Sequence, residues 1–138
     1  MTESVLSALQ SAIRARIPHP HDGGPNRGDD IAEVASVIAV QFRPTRIVLF
    51  GSRASQRADE ESDADLMIVM ESPTSPLDQA VAITRAVPHR IALDILVRTP
   101  DQIAAGLAEG DSFITDVLTE GVTLFEASDA GVGRASGG

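Results

Sequence analysis

Three aspartates and a Gly-Ser turn are the residues of this sequence whose types and spacing suit chemistry. Asp63 and Asp65 flank Ala64 and are followed at once by the apolar run Leu66–Met70. Alternate side chains of an extended chain share a face, so the two carboxylates point the same way. There they repel each other. A divalent cation with oxygen ligands relieves that repulsion, and beside phosphates the usual cation is Mg²⁺. A solvated acidic segment is the competing reading, because Asp59, Glu60 and Glu61 are adjacent. Asp65 leads directly into the apolar run instead of staying in the loop, which favours metal ligation.

Asp94 is the third carboxylate. It interrupts Ile91-Ala92-Leu93 and Ile95-Leu96-Val97, and a carboxylate inside a buried strand is costly unless paired or metal-bound. An ion pair with Arg90 or Arg98 and a third metal ligand on a neighbouring strand both remain open. Upstream, Gly51-Ser52 ends the run Ile47–Phe50. Strand, glycine, then helix is a phosphate-binding arrangement, since glycine lets a phosphate approach the backbone and the free N–H groups of a helix start attract anions. Ser52 adds a hydroxyl donor. By itself such a pair is usually a plain turn. Together, three carboxylates on two strands facing a Gly-Ser turn make a site for metal-assisted phosphoryl or nucleotidyl transfer. One metal would hold a triphosphate, and a second would lower the pKa of the attacking hydroxyl. Asp94 would draw on that hydroxyl's proton or hold the second metal.

The elements that must position these residues are legible from apolar spacing and caps. Val5, Leu9, Ile13 and Ile17 recur every four positions and predict a helix over 2–17, packed on its own domain or docked to a partner. Residues 18–29, PHPHDGGPNRGD, read as a linker, with His19, His21 and Asp22 solvated rather than metal-bound. Asp30 as N-cap with Glu33 as its capping-box partner starts a helix whose apolar face is Ile31, Val34, Ala35, Ile38 and Phe42; Pro44 ends it. Strands are expected over Arg46–Phe50, Leu66–Met70, Ile91–Val97 and Val122–Phe125. Between them, Ser75-Pro76 starts a helix that Pro88 stops. Thr99-Pro100 starts another that Gly110 ends, and Asp111 or Ser112 starts one ending at Gly121. Alternating strands and helices imply an α/β or α+β fold with a small central sheet. The chain divides into an N-terminal helix and linker over 1–29, a main domain over 30–126, and a tail over 127–138 with nothing to bury, expected to be disordered.

Composition bounds the rest. The net charge of −9 argues against an electrostatic grip on nucleic acid, and with four Phe as the whole aromatic set, stacking on Tyr or Trp is unavailable. An acidic chain that handles nucleotides needs metal ions to mask phosphate charge. Cysteine is absent, which excludes disulfides, a thiol nucleophile and a cysteine zinc site. The acidic N-terminus lacks a signal-peptide core, and no apolar run approaches the about 20 residues of a membrane span, so a cytoplasmic protein is expected.

At its carboxylates the sequence resembles the nucleotidyltransferase superfamily that includes DNA polymerase β, and more narrowly the minimal nucleotidyltransferases. The family signature is Gly-Ser, ten residues, then Asp-x-Asp; here Gly51-Ser52, residues 53–62 and Asp63-Ala64-Asp65 meet it. Asp94 in IALDILV matches the family's mid-strand third carboxylate, and RTPDQIA and DSFITDVLTEGVTLFE resemble its C-terminal half. The resemblance runs from about Asp30 to Glu126. It implies a mixed sheet flanked by helices and transfer of AMP from ATP with release of pyrophosphate, using two Mg²⁺ ions held by Asp63, Asp65 and Asp94. It also implies pairing with a HEPN-domain toxin, a tyrosine of which such antitoxins adenylylate. One departure stands out. The family often reads Gly-Ser-x-Ala-Arg-Gly, whereas this chain reads Gly51-Ser52-Arg53-Ala54-Ser55-Gln56. Arg53 or Arg57 is the cation expected near the phosphates in place of the missing one. Two other functions compete with the antitoxin. A small-molecule nucleotidyltransferase, acting for instance on an aminoglycoside, shares the motif but usually needs a further domain to complete its pocket. A non-catalytic module that regulates a partner by contact would not need all three carboxylates.

Overall fold

The computed structural model of the chain describes residues 2–17, 27–51, 64–87 and 93–127. Its elements run α1 (Thr2–Arg16), α2 (Arg27–Phe42), β1 (Arg46–Phe50), β2 (Ala64–Val69), α3 (Pro76–Ala86), β3 (Leu93–Arg98), α4 (Pro100–Glu109), α5 (Ser112–Glu120) and β4 (Val122–Glu126). The four described strands form one sheet in the order β3-β2-β1-β4. β1 pairs antiparallel with β2 and with β4, whereas β2 and β3 run parallel. A parallel pair needs a crossover connection, and α3 lies in it. The expected mixed sheet flanked by helices is therefore present.

Strand alternation sorts the core into two layers. Ile47, Leu49, Leu66, Ile68, Ile95 and Val97 face one side, where residues of α1, α2 and α3 cover them. Val48, Met67 and Val69 face the other side with Val117 of α5, and Phe50, Leu96, Ile103 and Leu118 pack around them. Thus α4 and α5 cover the second face. A bulge in the β1–β4 register, between Ile47 and Val48, lets Leu124 and Phe125 both enter the first layer. The carbonyl of Leu124 accepts from Arg16 Nη1 at 3.2 Å, which ties α1 to β4.

The N-terminal helix belongs to this core. Ile13 and Ile17 are buried in the first layer and Leu9 packs against it, so the own-domain reading of α1 describes its packing. Val5, expected on the same apolar face, is 60% exposed. Arg14 Nε reaches Asp29 Oδ1 at 2.9 Å and braces α1 on α2. α2 starts at Arg27, earlier than the expected cap at Asp30, and Asp29 and Asp30 lie in its first turn, where negative charge complements the helix dipole. Residues 27–29, read as linker, are therefore helical. Residues 18–26, with the two histidines, and 128–138 of the tail lie outside the described residues.

The later caps form as their residue types require. Ser75 accepts from the Asp78 N–H at 3.1 Å, with Pro76 in the first turn. Thr99 Oγ1 accepts from the Gln102 N–H at 3.1 Å while Gln102 Oε1 accepts from the Thr99 N–H at 2.9 Å, a complete capping box. Gly110 closes α4 at φ 76°, the left-handed region that glycine enters without a Cβ penalty. Asp111 Oδ1 accepts from the N–H groups of Phe113 and Ile114, starting α5. Among the described residues no helix is long and apolar enough to cross a membrane.

Candidate active site

β2 begins two residues before its expected start, so Asp65 is an interior strand residue. Register then defines its neighbours. Phe50 of β1 lies opposite Asp65 on one side, and Asp94 of β3 lies opposite it on the other. Asp65 sits between Ala64 and Leu66, and Asp94 between Leu93 and Ile95, all first-layer residues. Both aspartates therefore project to the second face, as Phe50 does. Phe50, Asp65 and Asp94 make one row across three strands. Neighbouring strands lie about 4.8 Å apart, so Asp65 and Asp94 are side-by-side register partners on one face.

The row has an apolar end and an open end. Phe113, at the start of α5, meets Phe50 edge-on, with ring centroids 5.8 Å apart and planes at 83°. Asp65 is half-buried next to this aromatic pair, while Asp94 is exposed. That exposure corrects the expectation of a carboxylate inside a buried strand. β3 is an edge strand of the described sheet, and Asp94 is exposed on it although Leu93 beside it packs against the first layer. The ion-pair alternative with Arg98 is also not realised. Four residues along a strand is roughly 13 Å, and Arg98 Nη1 donates to the Val97 carbonyl at 2.9 Å. Arg90 lies outside the described residues.

Gly51 closes β1 and touches the row. Its φ is 81°, and a Cβ built there would overlap Asp65 Oδ2, with Asp65 Cγ only 3.3 Å away. The Asp65 carboxylate thus lies over Gly51, in space open only because residue 51 lacks a side chain. Sequence reasoning assigned Gly51 to phosphate binding and missed this contact, which follows from register and not from residue type. It also missed Phe50 and Phe113; the position of Phe50 directly before Gly51 was the available signal.

Ser52, Arg53, Arg57 and Asp63, the remaining expected site residues, lie outside the described residues. Among those described, no three acidic or histidine side chains gather into a metal cluster, so the described part of the site is the Asp65–Asp94 pair. Two hard oxygen donors on one face, beside a cradle that a Cβ would fill, fit a hard divalent cation in donor type. A groove of about 450 Å³ lies elsewhere, between α1 and α2, lined by Ser7, Gln10, Ser11, Arg14, Ala15, Asp29 and Ala32. It includes no member of the carboxylate row, and the row's chemistry is the stronger guide to function.

Residues 32–130 match the family described as Polymerase beta, Nucleotidyltransferase, and with most of its length matched the chain belongs to that family. Its fold is accordingly that of a polymerase β-like nucleotidyltransferase, and nucleotidyl transfer is the activity its domain supports. Neither a curated protein nor a solved structure matches the chain.

Proposed function

We propose that this nucleotidyltransferase transfers AMP from ATP to a hydroxyl of a partner protein, and that it is the antitoxin of a HEPN-domain toxin. The observation that carries the catalytic part is the register pairing of Asp65 with Asp94 on one face, with the Asp65 carboxylate against Gly51. Asp63, two residues before Asp65, is proposed as the third carboxylate. Magnesium bound by these three would mask the charge of the triphosphate and favour ionisation of the attacking hydroxyl.

The chain's own groups then divide the work. Gly51, without a Cβ, lets the triphosphate approach the backbone, and Ser52 with Arg53 or Arg57 is proposed to bind its oxygens. Asp65 orients the reacting phosphate from inside the sheet. Asp94 accepts the proton of the acceptor hydroxyl as its oxygen attacks the α-phosphorus. The bond from that phosphorus to the bridging oxygen breaks, and pyrophosphate leaves with the electron pair.

A protein acceptor is supported by the exposure of Asp94 on an edge strand of the described sheet. A hydroxyl presented by a partner's surface can reach it without a second domain to enclose it. The test is to incubate the protein with ATP, Mg²⁺ and the product of the adjacent gene, and to weigh that partner by intact mass spectrometry. Added AMP supports the reading. A tight complex without transfer, formed equally well after Asp63→Asn plus Asp65→Asn, identifies a regulator that acts by contact. Modification of an aminoglycoside without any partner complex identifies a small-molecule enzyme.

A further inference from the structure

We infer that Gly51 is a positioning residue for the Asp65 carboxylate, in addition to any part it has in binding phosphate; this rests on the metal site proposed above. Three observations combine. A Cβ at residue 51 would overlap Asp65 Oδ2, and the overlapped atom belongs to the candidate metal ligand itself. Asp65 is confined on the β1 side by Phe50, its register partner, which Phe113 holds edge-on. On the β3 side stands Asp94, its other register partner. With both flanks occupied, the space over Gly51 is where the Asp65 oxygen is accommodated. A methyl group there forces the carboxylate to turn. Turning a short side chain costs the fold little, but it moves a ligand oxygen, and metal affinity depends steeply on how such ligands are oriented.

Backbone strain is a second effect of any side chain at residue 51, and the fold contains its control. Gly110 has φ 76°, close to the 81° of Gly51, yet a Cβ there meets nothing within 4 Å. Gly110→Ala therefore reproduces the strain without the collision.

The experiment titrates the metal-free full chain with Mn²⁺ in the absence of nucleotide, following the free ion by EPR. In parallel, the Asp65 carboxyl carbon is observed by NMR in metal-free protein carrying ¹³C-labelled aspartate. Gly51→Ala should weaken Mn²⁺ binding about tenfold, the lower end of losses seen when a ligand's supporting contact is altered. It should also shift the Asp65 resonance, while Gly110→Ala does neither. Unchanged Mn²⁺ affinity and resonance in Gly51→Ala, or equal weakening in Gly110→Ala, overturns the assignment. A parent chain that binds no Mn²⁺, or binds it equally well as Asp65→Asn, refutes the metal reading; the resonance still decides the role of Gly51. Should Gly51→Ala melt too low to titrate, melting temperatures serve. The loss it causes should be smaller in an Asp65→Ala background, and equal losses overturn the assignment.

Discussion

Asp65 and Asp94 occupy directly opposed positions on adjacent parallel strands and project to the same face of the sheet. Like charges so placed destabilise a sheet. Without metal, Asp94→Asn should therefore melt slightly higher than the parent in low salt with a chelator present. With Mg²⁺ and ATP the order should reverse, because only the parent keeps both proposed ligands. Differential scanning calorimetry under the two conditions checks both halves of this prediction.

The α5–β4 junction depends on space, not on backbone freedom. Gly121 has φ −76°, which any residue can adopt. A Cβ there, however, would overlap the Val117 carbonyl oxygen and lie 2.7 Å from Val48 Cγ1 and 2.9 Å from the Leu49 carbonyl oxygen. Backbone atoms cannot turn aside as a side chain can. Gly121→Ala should cost about 1–3 kcal/mol, the range typical of overpacking. Urea denaturation should show a lower midpoint with an unchanged slope.

The N-terminal helix should behave as part of the domain. Ile13 is 1% exposed within the first core layer. Ile13→Ala should lose about 2–5 kcal/mol by leaving a cavity. Nucleotide transfer per folded molecule should stay the same, since α1 lies on the face opposite the carboxylate row. Equilibrium unfolding measures the first effect, and activity normalised to folded protein measures the second.

Much of this fold was legible because its punctuation is local. Ser75-Pro76, Thr99 with Gln102, Gly110 and Asp111 act on backbone groups within a few residues, so residue type and spacing suffice to place α3, α4 and α5. The misplacements came where tertiary context decides. β2 starts at Ala64, two residues before the apolar run Leu66–Met70, because pairing with β1 and β3 draws Ala64 and Asp65 into the sheet. α2 was started late because Asp30 has the chemistry of a cap, and the packing of α1 on α2 carries the helix back to Arg27. The aspartates were recognisable by spacing, but the exposure of Asp94 was not. An apolar run such as ILV does not reveal whether its strand is central or at the edge. The contact between Gly51 and Asp65 was hidden for the same reason: it is a matter of register.

The most direct test of the account is a crystal of the protein grown with Mn²⁺ and a non-hydrolysable ATP analogue, with the metal located by anomalous scattering. The account predicts a manganese ion bound by carboxylate oxygens of both Asp65 and Asp94, at about the 2.0–2.6 Å of hard-cation ligation, with the analogue's phosphates next to Gly51. A nucleotide bound elsewhere, or a metal that bypasses both aspartates, would contradict it.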